Sequence, residues 1–393
     1  MKYDFDQVIN RKNTASMKWD GAYTFFGDQA EGALPMWVAD MDFRCADEII
    51  TALKKRAEEG IFGYPMLTES YYDAVIGWMK RHYDWQVKKE WIQFSPGIVS
   101  ALNYIVQAFT AAGDSILIQS PVYYPFTNAI VNNHRRLVRN DMIETDHQYT
   151  IDFADFEKKI VQESVKMYIL CNPHNPGGRV WTEQELKQLC QICKKHNVLL
   201  VSDEIHADLT YSGYKTTAVG RIAQGVYDRV IVCTAASKTF NLAGLQTSNI
   251  MIADESLRNT FADYMDKLHL IRPNIFGQTA TEAAYTYGDE WLLQLRAYLE
   301  DNLNFMMDFI AAHVPEIKVM KPQATYLVFL DCKSLGLGNQ ELRSFMLQKA
   351  KVAMDDGFVF GPGGEGYVRI NIACPRALLE DALKRIEKAV KNR

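Results

Sequence analysis

Short apolar runs recur through the middle of the chain, at residues 115–119 (SILIQ), 167–171 (MYILC), 198–202 (VLLVS), 230–234 (VIVCT) and 249–252 (NIMI). They are rich in Ile, Val and Leu and show little polar alternation, as expected of strands buried on both faces of a mainly parallel sheet. Helical periodicity fills the gaps between them. Thr182 followed three residues later by Glu185 is a capping-box pattern, and Leu186, Leu189, Cys190 and Cys193 then fall on one helix face. This alternation of strand and helix predicts a large α/β domain over residues 49–287. The pattern then changes. A long helical stretch over residues 290–313 leads into strand-like segments at 326–330 and 368–372, and a last helix starts near Ala377. Residues 288–393, joined by residues 1–48, are therefore expected to form a smaller α+β domain.

Composition narrows the function more than the fold. Hydrophobic residues make up 48% of the 393, enough for a sizeable core. The formal net charge of −5 argues against nucleic acid or an anionic membrane surface as the main partner. The N-terminal residues lack the apolar core of a signal peptide, and no run approaches the length of a membrane span. The seven cysteines are odd in number and scattered over a long chain, which fits a reducing cytoplasm better than a disulfide scaffold.

Five places carry residues suited to chemistry. Ser237 and Lys238 follow directly on the run 230–234. Strand carboxyl ends are where open α/β sheets bind ligands, and a desolvated lysine there becomes a nucleophile for carbonyls. An exposed loop lysine is the competing reading. Asp203 ends the run 198–202, where a carboxylate can pair with a cationic ring nitrogen or simply cap a helix. A metal set of Asp203, Glu204 and His206 has no second cluster at ligand spacing to complete it. Asn175, in CNPHNPGGR, either donates to a phenolic oxygen or belongs to a plain turn. The turn FSPGIV leads into a helical stretch at 100–109 and offers backbone N–H groups of Gly97, Ile98 and Val99 to a phosphate. Arg369 lies inside the apolar strand pattern VRINI, so its guanidinium needs either an internal acid or a substrate carboxylate.

The ordered set CNPHNPGG, SDEIH, SKTFN and VRINIACPR resembles the fold-type-I pyridoxal-phosphate enzymes of the class I/II aminotransferase superfamily. PMWVADMDF (residues 35–43) and FGYP (62–65) are similar to the MalY/PatB group of C–S β-lyases, and the likeness spans nearly the whole chain. It implies a large domain with a mainly parallel seven-stranded sheet, pyridoxal 5′-phosphate as cofactor, and a homodimer with shared active sites. It also implies that Lys238 holds the cofactor covalently and moves the proton. Asp203 would pair with the ring nitrogen, Asn175 would contact the ring oxygen, and Tyr123 would stack on the ring. Ser237 with the Gly97–Val99 backbone would bind phosphate, Tyr64 would reach it from the neighbouring subunit, and Arg369 would hold the substrate carboxylate. Three positions depart from the general aminotransferase pattern. Gln246 replaces an arginine, Ala235 a serine, and His206 a tyrosine that donates to the ring oxygen. The protein thus brings less positive charge to the phosphate, and these departures match the lyase group.

Three further candidates have plain structural readings. Cys190 and Cys193 form a CxxC but fit an amphipathic helix. GPGGEG (361–366) suits a chain turn before Arg369, and Trp37 suits either a substrate-pocket wall or core packing. The expected reaction is α,β-elimination from cystathionine, cysteine or related S-substituted cysteines, giving pyruvate, ammonia and a thiol. An aminotransferase using the same residues is the main alternative, and a regulatory protein acting through its surface is one from another class.

Overall fold

The computed structural model describes residues 2–393. Its main sheet contains β1 (Ile92–Ser95), β2 (Ser115–Ser120), β3 (Arg136–Asp141), β4 (Val165–Cys171), β5 (Leu199–Asp203), β6 (Val230–Thr234) and β7 (Ser248–Ile252). Their spatial order is β1-β7-β6-β5-β4-β2-β3. β7 runs antiparallel to both neighbours, and the other pairings are parallel. The expected seven-stranded, mainly parallel sheet is therefore present.

The apolar runs are continuous because successive residues feed two different cores. Ile116, Ile118, Met167, Ile169, Leu199, Val201, Ile231 and Ile250 pack on one face, with Ile98, Leu102 and Ile105 of the helix Ile98–Phe109. Leu117, Tyr168, Leu170, Leu200, Val232 and Met251 pack on the other, with Leu186, Leu189, Cys190 and Cys193 of the helix Glu183–Lys195. The Thr182–Glu185 capping box is formed, and both cysteines of the CxxC are buried on that helix as apolar positions.

A second sheet is antiparallel throughout. It pairs β8 (Lys318–Met320), β9 (Leu327–Asp331), β11 (Tyr367–Asn371) and β10 (Asp355–Asp356), in that order. The long helix Asp289–His313 packs on the last helix, Arg376–Lys391. The glycine-rich stretch 361–366 turns the chain into β11, with Gly361, Gly363 and Gly366 all at positive φ.

One irregular segment ties the two sheets together. Leu34 and Pro35 pair in parallel with Val352 and Ala353. Asn371 of β11 then donates to the carbonyls of Val38 (2.7 Å) and Asp40 (2.6 Å). Asn241, three residues beyond Lys238, accepts from Met41 N–H and donates to the carbonyls of Met41 and Phe43. Below this strap, Lys18 is fully buried and pairs with Asp42 at 2.6 Å, while Arg11 bridges Asp40 and Asp42.

Candidate active site

The carboxyl ends of β4, β5 and β6 converge on a cavity of about 160 Å³. Lys238, Ser237, Asp203, His206, Asn175, Tyr123, Gly97, Ile98 and Val99 all line it, with Gln246 and Thr247. The convergence follows from register. Cys171 stands opposite Asp203, and Asp203 opposite Cys233, so each strand delivers its following residues to the same edge. The amide of Asn172 donates to the Asp203 carbonyl at 2.9 Å, and that of Tyr123 to the Asn175 carbonyl at 3.0 Å.

Withdrawal from water dominates the electrostatics. It lowers the Lys238 ammonium to about 8, against weaker support from Asp40 and Asp203. The same effect raises the buried Asp203 carboxyl to about 7, although Ile205 N–H donates to it. A lysine amine poised for nucleophilic attack and a carboxylate short of a cation thus share one cavity. Lys238 Nζ donates to the Ala39 carbonyl at 2.6 Å, which also accepts from the Tyr326 hydroxyl at 3.0 Å. Neither Ala39 nor Tyr326 has a side-chain signal in the sequence; the strap motif PMWVADMDF was the available pointer to the first. Glu204, next to Asp203, turns away from the cavity and accepts from Val219 N–H, Ser202 Oγ and Asn172 Nδ2. It therefore braces the strand ends rather than forming a metal set with Asp203 and His206.

Gly97 adopts φ +87°, and a Cβ there would meet Gln246 Oε1 at 3.0 Å. The helix begins at Ile98, two residues before the predicted start, so the amides of Ile98 and Val99 belong to its unpaired first turn. Lys238 is the one Lys or Arg among the residues that line the cavity. Backbone N–H groups are thus the main donors available to a phosphate there. The set fits pyridoxal phosphate: an amine for its aldehyde, a carboxylate for the ring nitrogen, an amide for the ring oxygen and an amide cradle for the phosphate. Three buried side-chain atoms in this region lack partners, namely His206 Nδ1, Thr234 Oγ1 and Arg369 Nε.

Arg369 lies on β11 at the rim. Its Nη1 donates to Asn175 Oδ1 at 2.9 Å, and its Nη2 pairs with Asp355. The internal acid weighed from sequence therefore exists, alongside the link to the cavity through Asn175. Two expected residues fall elsewhere. The Trp37 side chain does not line the cavity; its indole N–H donates to the Lys18 carbonyl, and its ring packs on Phe25, Phe26, Leu347 and Ala353. Aromatic packing explains the placement, and only the Trp37 carbonyl approaches Arg369, at 3.5 Å. Tyr64 is 93% exposed and lies in a separate groove of about 1240 Å³, with Arg272 over its ring at 5.2 Å.

Residues 36–386 match the family described as aminotransferase class I and II. Over 387 residues the chain is 45% identical to the cystathionine beta-lyase PatB of Bacillus subtilis (strain 168), covering 98% of this chain and 100% of that protein. The crystal structure of cystalysin from Treponema denticola, which contains pyridoxal 5′-phosphate, superposes with a TM-score of 0.96 at 38% identity and covers all of both chains. The C–S lyase of Staphylococcus hominis in complex with L-cycloserine gives a TM-score of 0.93 at 36% identity, again over the full length of both. The chain belongs to the class I and II aminotransferase family and, within it, to the PatB-type C–S lyase group.

Proposed function

We propose that this protein is a pyridoxal 5′-phosphate-dependent C–S β-lyase. It cleaves cystathionine, cysteine or related S-substituted cysteines to pyruvate, ammonia and a thiol. The observation that carries the cofactor is the meeting of Lys238, Asp203, Asn175 and the Gly97–Val99 turn on one cavity. The choice of elimination over transamination is supported by the likeness to PatB and cystalysin, because both reactions use these residues up to loss of the Cα proton.

Each residue has a distinct task. Arg369 and Asn175 bind the substrate α-carboxylate and orient Cα. Lys238, whose ammonium is lowered to about 8, would hold the cofactor's aldehyde carbon, and as a neutral amine it takes the Cα proton. The Ala39 carbonyl, steadied by Tyr326, gives that amine a fixed acceptor. Asp203 would keep the ring nitrogen protonated, and the ring when bound would supply the electron sink at Cα. Tyr123 and His206, both lining the cavity, would hold the ring. Ser237 and the backbone of Gly97, Ile98 and Val99 would hold the phosphate. The carbon–sulfur bond then breaks with both electrons leaving on sulfur, and water converts the remaining three-carbon unit to pyruvate and ammonia.

The protein acts as a cytoplasmic homodimer, with Tyr64 completing the partner's site. Its exposure, together with that of Ile61, Phe62 and Met66 on the same segment, supports a covering second copy, and the seven unpaired cysteines suit a reducing compartment. No helix among the described residues is long and apolar enough to cross a membrane. The large domain comprises residues 49–287, and residues 1–48 with 288–393 form the small one, Met1 lying outside the described residues.

The test is incubation of purified protein with cystathionine or cysteine. Pyruvate and free thiol should appear without added keto acid, and the cofactor's visible band should vanish in Lys238→Ala. Turnover that strictly requires a keto acid and releases no thiol assigns an aminotransferase instead.

A further inference from the structure

The guanidinium of Arg369 is surrounded by the protein's own groups. Asp355 stands directly opposite it in the antiparallel pairing of β10 with β11, and Asp355 Oδ2 accepts from Nη2. Nη2 also approaches the Trp37 carbonyl at 3.5 Å, while Nη1 donates to Asn175 Oδ1 at 2.9 Å. Phe360 covers one face of the guanidinium at 4.8 Å, and Nε is buried without a partner.

This arrangement has a consequence for any carboxylate that Arg369 binds. A two-pronged grip uses two N–H groups on one edge of the fork, and both edges include Nη2. Asp355 already holds Nη2. A substrate α-carboxylate and the Asp355 carboxylate must therefore share one cation, leaving a net negative charge in a largely dry place. Arg343 is turned to Asp356, the strand neighbour of Asp355, at 3.3 Å. Lys238 lines the adjoining cavity with Asn175 and Asp203, and its charge is offset by Asp40 and Asp203. A cation on the substrate would offset the charge of the pair.

We propose that Asp355 sets the charge preference of the site. It favours S-substituted cysteines whose sulfur substituent carries an ammonium group and disfavours those whose substituent carries a second carboxylate. The inference rests on Arg369 as the substrate anchor. Asp355 acts through the field it adds beside that anchor, and a unit charge a few ångströms from a poorly solvated carboxylate changes binding by about tenfold.

The experiment compares S-(2-aminoethyl)-L-cysteine with S-carboxymethyl-L-cysteine, which are alike in size and opposite in substituent charge. Holoenzyme carrying Asp355, Asp355→Asn or Asp355→Glu is titrated with each, and dissociation constants are read from the change in cofactor absorbance. Pyruvate release is followed in parallel. Asp355→Asn should shrink the preference for the ammonium compound by about tenfold, weakening that ligand and tightening the carboxylate one. Asp355→Glu should keep the preference. An unchanged preference in Asp355→Asn overturns the inference. So does equal weakening of both ligands, which would make Asp355 a prop for Arg369 and nothing more. Absence of any absorbance response, in protein that retains its cofactor band, overturns it as well. Charge-selective binding without pyruvate would leave this inference standing and count against the lyase reading alone.

Discussion

Lys238 and Asp203 carry opposite charges when ionised, yet desolvation pushes both toward neutrality, to about 8 and about 7 respectively. Pyridoxal phosphate would offer each a partner: a carbonyl for the amine and a cationic nitrogen for the carboxylate. A pH dependence follows for Lys238. Its amine attacks only when deprotonated, so the rate at which apoprotein takes up pyridoxal phosphate should rise as pH approaches about 8 and level off above it. Stopped-flow absorbance measures this directly. A rate that keeps climbing until the ordinary lysine range near 10.5 would show that the cavity leaves Lys238 unperturbed. At the same scale, side-chain direction escaped the sequence. Trp37 was open between pocket and core; the structure turns its ring into the cluster of Phe25, Phe26 and Leu347, because contacts with distant partners choose a side chain's direction.

Among elements, the buried strands were legible to within two residues, because an all-apolar run has no alternative to burial on both faces. The edge strands were not. Arg136–Asp141 (RLVRND) and Ile92–Ser95 (IQFS) sit at the two ends of the sheet, where polar residues are tolerated and the apolar signal is broken. Small shifts also mattered. β9 begins at Leu327 rather than at the predicted residue 326, and Tyr326, just outside the strand, sends its hydroxyl to the Ala39 carbonyl. The strap that presents this carbonyl has little regular structure and depends on side-chain clamps. Replacing Asn371 with Ala removes one donor each from the carbonyls of Val38 and Asp40, which keep Asp40 N–H and Lys18 Nζ. Loss of the two side-chain bonds should cost roughly 1–3 kcal/mol, seen as a lower urea midpoint with an unchanged slope. It should also slow turnover, because Ala39 lies between these two carbonyls. Wild-type stability in this variant would show that the strap is held by its other contacts.

For the whole molecule, the proposed shared active site makes a prediction that one chain cannot satisfy. Lys238 lines the cavity, whereas Tyr64 lies in a different groove of the same chain. Two defective variants, Lys238→Ala and Tyr64→Ala, should therefore rescue each other when unfolded together and refolded. Each mixed dimer then has one site with Lys238 from one chain and Tyr64 from the other. Random pairing should return about a quarter of wild-type activity, well above either parent. Activity equal to the mean of the parents would confine each site to a single chain. The sequence by itself determined the strand-and-helix alternation, the apolar cores and the five chemical positions, because periodicity, capping and turn chemistry are local properties of the chain. The cofactor set and the lyase group were legible through ordered motifs rather than through physics. Only the tertiary structure decided that Asp355 sits across from Arg369, that the Ala39 carbonyl accepts from both Lys238 and Tyr326, and that Tyr64 lies outside its own chain's cavity. These are contacts between residues far apart in the chain, and strand register and packing, which no local pattern encodes, bring them together or hold them apart.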